Sequence, residues 1–273
     1  MKNAFLLLVA LSLTQCTGVT QPNSYAPAPA SGAMLARCEG ASPIPPSISS
    51  NRSIVIDERP GLGTQLGHEV YQKTIGTHFY RRNQSMPDAM ASFQYNDEEG
   101  AKLMARMGGA SFQHGGSFDL VPGKLRVTVK GSSWTYGQTF KHYLSAGRYI
   151  VVGRPGATYE LIFTNLTRNR LEIVTSVDGL DVRSGRPASV KSSGYVIAAK
   201  SSVSIPGMRV GGVLRAFQFS SVADSRAATS YGEKGARNVG VIGVGLYEED
   251  ELQRRRVRVE ENYLREGARA FGN

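Results

Sequence analysis

The strongest constraint on the fold is a series of short apolar segments with a two-residue period, which begins after Pro122. In KLRVTVKG, residues 124–131, apolar Leu125, Val127 and Val129 alternate with polar residues. Such alternation is typical of a strand with one buried face. Similar segments, separated by turn residues, follow at RYIVVG (148–153), YELIFTN (159–165), RLEIVTSV (170–177), GYVIAA (194–199), SSVSI (201–205), LRAFQFSSV (214–222) and NVGVIGVGLY (238–247). Residues 124–247 are therefore predicted to form an antiparallel β-sandwich or jelly-roll-like domain.

The segment before this domain, residues 51–123, has a mixed pattern that predicts a small α+β region. RSIVID (52–57) is a candidate strand, and HEVYQKTIGTHFYRR (68–82) is compatible with either a helix or a strand. Ser85 followed by Pro87 favours a short helix over SMPDAMASFQY (85–95). A second helix is predicted over residues 96–107, with an apolar face made of Leu103, Met104 and Met107.

The last segment, residues 248–273, is predicted to be a charged helix and tail. Acids stand four residues before arginines at Asp250–Arg254, Glu251–Arg255 and Glu261–Arg265, and such pairs each stabilise a helix by a few tenths of a kcal/mol. Leu252, Val259 and Tyr263 form only a thin apolar stripe. Two interpretations remain open, a solvated helix or a helix that docks on a partner or neighbouring subunit, with Arg254, Arg255 and Arg256 as candidate contact residues.

The first 15 residues have the features of an export signal. Lys2 precedes the ten-residue apolar run AFLLLVALSL, which is too short to span a bilayer. The following LTQC resembles a bacterial lipobox, although Gln15 replaces the usual small residue, and the resemblance implies lipidation of Cys16. Thr17 then points to the outer membrane, on its periplasmic side. The alternative is ordinary secretory cleavage, in which Cys16 has no special role.

Residues 16–50 are predicted to be a flexible tether. Six prolines lie among Ala, Ser and Thr in this segment, a composition that favours extended conformations. If Cys16 is lipidated, Cys38 is the remaining thiol. If Cys16 stays free, a Cys16–Cys38 disulfide is conceivable in an oxidising compartment.

Several motifs of the second half resemble a group of uncharacterised, mostly exported bacterial proteins. They are VDGLDVRSG (177–185), GYVIA (194–198), IPGMR (205–209), AFQFSSVADSRAA (216–228) and RNVGVIGVGLYEE (237–249), together with GRPGATYELIFTN (153–165). The resemblance covers residues 145–249 and implies an exported β domain. It carries over no catalytic residue.

The stretch TSVDGLDVRSGR, residues 175–186, has the composition of a cation site, because two carboxylates stand close to two arginines. A calcium site needs about six oxygen ligands, however, and no further acid follows Asp181 within the stretch. Asp178-Gly179 is instead a preferred pair for a tight hairpin turn in which both residues have positive φ. We therefore expect a hairpin, with Asp178 exposed at its tip.

Other catalytic and cofactor motifs are weak in this sequence. The four histidines (His68, His78, His114 and His142) lack metal-ligand spacing, and there is no Gly-x-Ser-x-Gly motif. The glycines of GVIGVG (240–245) lie in a predicted strand, whereas a dinucleotide site needs them at the start of a helix. We predict no metal, no cofactor and no enzymatic activity. A dispersed hydrolase site that includes Asp224 stays open as an alternative.

Charge is the remaining functional signal. Residues 124–237 contain 17 Lys or Arg and 6 Asp or Glu, so the predicted sandwich is basic and would attract anionic surfaces. Within it, SSWTYGQTFKHY forms an aromatic loop whose candidate contact residues are Trp134, Tyr136, Lys141 and His142. Core filling is the alternative role for these side chains. Export and the lack of a recognition motif argue against nucleic acid.

Together these features predict a non-enzymatic envelope lipoprotein. It would be an accessory or structural subunit of an outer-membrane-associated assembly, such as a secretion complex, and would bind envelope proteins. The first alternative is a module that binds a polyanionic glycan such as lipopolysaccharide, or an anionic lipid. The second alternative is the hydrolase with a dispersed site.

Overall fold

The structure is a computed structural model that describes residues 59–109, 113–132 and 137–268. The strands are β1 Leu62–Glu69, β2 Ala89–Asn96, β3 Gln113–His114, β4 Ser117–Val121, β5 Leu125–Gly131, β6 His142–Ser145, β7 Arg148–Val152, β8 Thr158–Asn165, β9 Leu171–Val177, β10 Leu180–Asp181, β11 Tyr195–Ile197, β12 Ser202–Ile205, β13 Gly207–Val210, β14 Val213–Ser221 and β15 Val241–Glu248. The helices are α1 Glu98–Met107, α2 Arg226–Ala236 and α3 Glu251–Glu266. The chain is mainly β, as the alternating pattern predicts.

The strands form two sheets that enclose one main hydrophobic core. Sheet I has the order β1-β14-β8-β5-β4, with β12 paired to β8 and β13 paired to β14. Sheet II has the order β10-β9-β15-β2-β7-β6-β3, with β11 paired to β9. All described pairings are antiparallel except that of β2 with β7. Phe93 of sheet II packs edge-on against Phe118 of sheet I, with 5.2 Å between ring centroids, and both belong to the main core.

All eight segments in which alternation predicts a strand are strands. In β5, Leu125, Val127 and Val129 are buried and Arg126 is exposed, as the period of two requires. The predicted β-sandwich-like fold and the predicted C-terminal helix are both confirmed. Helix α2, which lies between β14 and β15, is an addition that the sequence pattern does not indicate.

The short helix expected over residues 85–95 is wrong, because most of that segment is strand β2. This strand lies inside sheet II, antiparallel to β15 and parallel to β7. Phe93 and Tyr95 alternate with less buried neighbours and enter the core. The long-range pairing with β15 and β7 therefore overrides the local helix signal of Ser85 and Pro87.

The second predicted helix is confirmed as α1, but its buried face differs from the expected one. Asp97 is the N-cap, and its carboxylate accepts a hydrogen bond from the backbone N–H of Gly100 at 2.7 Å. Leu103 and Met107 are exposed, and of the expected face only Met104 packs, partly buried, against the core. The helix instead buries Ala101 and Ala105 against Tyr143 and Ile150, because small side chains allow close approach to sheet II.

Residues before Pro122 contribute to both sheets. Strand β1 pairs with β14 in sheet I, whereas β2 lies within sheet II. Of the ambiguous segment 68–82, only His68 and Glu69 belong to a strand, and Arg81 forms an isolated bridge with Glu249. The candidate strand at residues 52–57 and the predicted signal and tether lie outside the described residues.

Candidate functional site

Helix α3 forms from local signals that are visible in the sequence. The carboxylate of Asp250 caps the helix by accepting a hydrogen bond from the backbone N–H of Gln253 at 3.0 Å. Two of the predicted ion pairs form, Glu251–Arg255 at 3.8 Å and Glu261–Arg265 at 3.0 Å. The third prediction, Asp250–Arg254, is wrong, because Arg254 turns towards Glu249 at 3.4 Å.

The base of α3 is fixed to the sandwich by the carboxylate of Glu249. This side chain is fully buried and binds the guanidinium groups of Arg170 and Arg254. The hydrogen bond to Glu249 raises the pKa of Arg170. The backbone N–H of Asp250 also donates to the carbonyl of Tyr80 at 2.7 Å. The start of the helix is therefore held by two contacts, the Glu249–Arg254 ion pair and the hydrogen bond from the Asp250 N–H to the Tyr80 carbonyl.

Beyond its base, α3 presents apolar side chains to solvent. No residue between Glu251 and Glu266 is buried. The stripe that the sequence predicts is exposed along the helix, with Leu252 at 69%, Val259 at 53% and Tyr263 at 70%, and Leu264 lies beside it. A polar helix that buries no apolar side chain on its own domain is marginal in water at this length. The stripe is therefore an exposed apolar surface along the helix.

The three arginines predicted to contact a partner have different surroundings. Arg254 is partly buried in its contact with Glu249, and Arg255 is exposed beside Glu251. Arg256 is exposed within the apolar stripe. The three side chains therefore do not form a single basic clamp, and Arg256 is the one that lies between Leu252 and Val259.

The aromatic loop is only partly described, because Trp134 and Tyr136 lie outside the described residues. The structure separates the other two predicted contact residues. Lys141 is exposed, whereas His142 is buried against Phe118, Tyr149 and His114, with ring centroids 4.8, 5.7 and 5.8 Å away. A common contact patch of Lys141 and His142 is therefore wrong, because neighbouring residues in extended backbone point to opposite sides.

Lys141 lines a cleft of about 500 Å³ next to the start of α1. Its charged lining residues are Asp97, Glu98, Glu99, Lys141 and Arg154. The cleft therefore contains three carboxylates and two cationic side chains. The carboxylate of Asp97 also caps α1, because it accepts a hydrogen bond from the backbone N–H of Gly100. This mixed charge does not suit a polyanion, which is the ligand that the basic composition favours.

His142 is held as a neutral aromatic side chain. Burial, and secondarily the neighbouring His114, lower the pKa of His142 to about 4. Its Nδ1 atom is buried and makes no hydrogen bond. His114 faces it across the β3–β6 pair, but among the described residues no group of three His, Cys, Asp or Glu side chains could hold a metal ion. His142 is therefore part of the packing with Phe118 of β4 and Tyr149 of β7, whereas His114 on β3 is exposed.

The stretch from Thr175 to Arg186 forms the predicted hairpin turn, with φ of 54° at Asp178 and 78° at Gly179. The expected exposure of Asp178 is wrong, since only 2% of this residue is accessible. The turn lies next to β1. The Asp178 carboxylate accepts hydrogen bonds from the Tyr95 hydroxyl (2.5 Å), the Thr64 N–H (2.8 Å) and the Gly240 N–H (2.9 Å). Burial raises the pKa of Asp178 to about 6, against the effect of these hydrogen bonds.

The second acid of the stretch also serves the backbone. The carboxylate of Asp181 accepts hydrogen bonds from the N–H groups of Arg183 and Ser184, at 3.0 and 2.8 Å, and from the Ser184 hydroxyl. This arrangement closes the second turn of the segment. Both carboxylate oxygens of Asp178 and the Oδ1 atom of Asp181 therefore accept hydrogen bonds from the fold.

Sequence reasoning misses a buried polar network that surrounds Asp178. The hydroxyl of Thr64 lies 2.8 Å from that of Tyr95 and 2.7 Å from that of Tyr159. Because Tyr95 donates to Asp178, it accepts from Thr64, and Thr64 in turn accepts from Tyr159. Strands from both sheets are thus joined inside the core. No local pattern marks these residues, since they come from four distant segments.

Comparison with known proteins adds no relative to this picture. No protein-family model, curated protein or solved structure matches the chain. Within residues 59–109, 113–132 and 137–268, no helix is both long and apolar enough to cross a membrane.

Proposed function

We propose that this chain is a non-enzymatic subunit of an assembly at the bacterial outer membrane and that α3 is its docking surface. A lipid on Cys16 would hold the chain at the periplasmic face of the membrane. The observation that carries the proposal is the exposure of the Leu252, Val259 and Tyr263 stripe on a helix whose base is fixed to the sandwich.

The dimensions of α3 suit a docking element. Its 16 residues correspond to a helix about 24 Å long. Its two intrahelical ion pairs contribute only a few tenths of a kcal/mol each. Burial of the stripe against another protein would therefore add most of the stabilisation that the helix lacks on its own domain.

The amino-terminal sequence supports an anchored arrangement. Residues 16–50 have a proline-rich composition that favours about 3 Å per residue, so the arm would reach about 100 Å when extended. A tether of this length on a lipidated Cys16 would let the chain contact components that lie away from the membrane surface. Such reach suits a subunit that bridges components of an envelope complex.

The surroundings of the candidate catalytic groups support a role without chemistry. Asp178 and Asp181 are occupied by backbone and tyrosine donors, and His142 is buried among aromatic rings. Asp224, the acid of the hydrolase alternative, accepts a hydrogen bond from the Ser221 hydroxyl at 2.7 Å in the turn before α2. Each of these four side chains therefore has contacts that belong to the fold.

The polyanion alternative has weaker support. The net positive charge of residues 124–237 favours it, but the cleft beside Lys141 contains three carboxylates. A polyanion would then have to bind on the open surface through scattered arginines and lysines, with strong dependence on salt. The apolar stripe of α3 would have no role in such binding.

Affinity isolation of the full-length chain from native membranes tests the docking role. The test variant carries Leu252→Ala, Val259→Ala and Tyr263→Ala, and the matched control carries Leu103→Ala and Met107→Ala on the exposed side of α1. We expect wild type and control to recover the same envelope proteins and the test variant to recover at least tenfold less. Equal recovery by all three chains, or no envelope protein with wild type, would contradict the proposal.

The anchor is tested separately by Cys16→Ala. We expect wild type to sediment with outer membranes and the variant to move to the periplasmic soluble fraction. A variant that stays with the membrane to the wild-type extent would remove the lipid anchor from the account.

A further inference from the structure

We infer that the partner of α3 is α3 of a second copy of this chain, paired antiparallel about a twofold axis near residue 258. The inference rests on the proposed docking role and names its partner. It is carried by two features of the helix surface, the asymmetric distribution of charge along α3 and the position of Arg256 within the apolar stripe.

The two halves of α3 carry opposite charge. Residues 251–258 contain four arginines and one glutamate, whereas residues 259–266 contain three glutamates and one arginine. Two copies in parallel would place like halves side by side. Two antiparallel copies place the basic half of each helix beside the acidic half of the other, which is favourable at both ends.

The apolar stripe has the spacing of a helix–helix seam. Leu252, Arg256, Val259 and Tyr263 are separated by four, three and four residues, so they share one face of the helix. In an antiparallel pair of this register, Leu252 lies opposite Tyr263 of the second copy, and Arg256 lies opposite Val259. The same two contacts are repeated on the other side of the axis, as twofold symmetry requires.

Arg256 decides the direction of pairing. A parallel pair would place the two Arg256 side chains opposite each other in an apolar seam, where like charges are costly. In the antiparallel pair the guanidinium of Arg256 lies next to Glu260 of the second copy, which flanks the seam. Within the described part of the chain, neither Arg256 nor Glu260 has an oppositely charged partner within 4 Å, so both are available for this contact.

The interface would be small. One pair of 16-residue helices buries less than the 1,200–2,000 Å² or so that is typical of stable complexes, so free copies should associate weakly. Two copies anchored in one membrane meet at a high effective concentration, however. A lipid anchor would therefore make a weak helix pair sufficient for assembly.

A charge exchange tests this inference on the purified full-length chain in detergent. Arg256→Glu leaves only acids at positions 256 and 260 of the seam, and Glu260→Arg leaves only bases at these two positions, so each variant alone should repel its own copy. An equimolar mixture restores opposite charges across the seam. Sedimentation velocity over a concentration series gives the dimer dissociation constant of each sample, and circular dichroism checks that the helix remains.

We expect each single variant to raise the dissociation constant at least tenfold and the mixture to return to within about threefold of wild type. Arg258→Glu is the matched control, because it makes the same charge change about 160° around the helix from Arg256. It should dimerise much as wild type does. A wild type that stays monomeric up to about millimolar concentration, the range of effective concentration for tethered copies, single variants that dimerise normally, or a mixture that stays monomeric would overturn the inference.

The two proposals fail separately. A monomeric wild type that still recovers envelope proteins through α3 would sink self-pairing and leave the docking role intact. A wild type that dimerises by the charge-exchange test but recovers no other envelope protein would leave α3 as a surface for self-pairing and contradict the larger envelope assembly.

Discussion

The hydroxyl of Tyr95 donates a 2.5 Å hydrogen bond to the buried carboxylate of Asp178, and so joins β2 to the turn between β9 and β10. Thr64 and Tyr159 extend this contact into sheet I. A carboxylate in a low-dielectric core is tolerated only when donors surround it. The acid that most resembles an active-site group is therefore a structural link between the two sheets.

Replacement of Tyr95 by phenylalanine should destabilise the protein by about 1–3 kcal/mol, because it leaves the buried carboxylate and the Thr64 hydroxyl each short of one partner. The free energy of unfolding in urea measures this loss. The control is Tyr71→Phe, the same change at a fully exposed tyrosine, which should have no measurable effect. Equal stability of the two variants would show that the Tyr95–Asp178 contact contributes little.

Titration of Asp178 should lower stability as the pH rises from about 4 to 6. Its pKa is raised from 3.8 to about 6 in the folded state, so the folded chain holds a proton that the unfolded chain has already lost. Stability from this group is full below pH 4 and falls by up to about 3 kcal/mol once the pH exceeds 6.

The measurement is the difference between wild type and Asp178→Asn across this range. The difference is needed because the lowered pKa of His142 acts in the opposite direction, increasing stability as the pH rises from about 4 to 6.5. We expect Asp178→Asn to be less stable than wild type at every pH in this range, since an amide cannot accept all three hydrogen bonds. We also expect its stability to lack the decrease that titration of Asp178 causes in wild type. Parallel stability curves for the two chains would refute the raised pKa.

Gly179→Ala should destabilise the protein more than Gly123→Ala does. Both glycines have positive φ, 78° and 70°, so alanine is strained by about 1–2 kcal/mol at either position. An added Cβ at Gly123 meets nothing within 4 Å, whereas at Gly179 it would lie 2.8–3.2 Å from the side chain of Asn238. The free energies of unfolding of the two variants in urea separate the backbone strain from the contact with Asn238. Equal losses of stability would show that this contact costs nothing.

Arg81→Met should be strongly destabilising, by about 3–5 kcal/mol, because it leaves the buried carboxylate of Glu172 without its bidentate partner. The double variant Arg81→Met/Glu172→Gln should recover part of this loss, since it removes the uncompensated charge. Arg82→Met is the matched neighbour, and the change should be milder because the Arg82 side chain is 57% exposed and Asp88 keeps its hydrogen bond from the Glu248 N–H. A double variant less stable than Arg81→Met alone would contradict the buried-charge explanation.

Local patterns in the sequence were sufficient for the eight strands with two-residue alternation and for α3, because alternation, turn residues and i,i+4 pairs act within a few residues. They fail at β2, where pairing with β15 and β7 determines the conformation. They also fail at Asp178, whose donors come from Thr64, Tyr95 and Gly240, at 114, 83 and 62 residues' separation. The turn is encoded locally, but its burial is decided by distant segments.

The same distinction applies to the candidate contact residues. The spacing of Leu252, Val259 and Tyr263 predicts a common face, and the structure adds that this face is exposed and that its base is fixed by Glu249. Lys141 and His142 are adjacent in sequence yet differ in exposure, because the packing of Phe118 and Tyr149 determines which of them is buried. Adjacency in the chain therefore gave no guide to a shared site.

Site-specific photo-cross-linking in native membranes tests the central claim, that α3 is the assembly surface, most directly. A photoreactive amino acid replaces Val259 in the full-length chain, and a control chain carries it at Lys102, an exposed residue of α1. The account predicts cross-linked products from position 259, including one at twice the mass of the chain, and none from position 102. No product from position 259, or the same products from both positions, would contradict it.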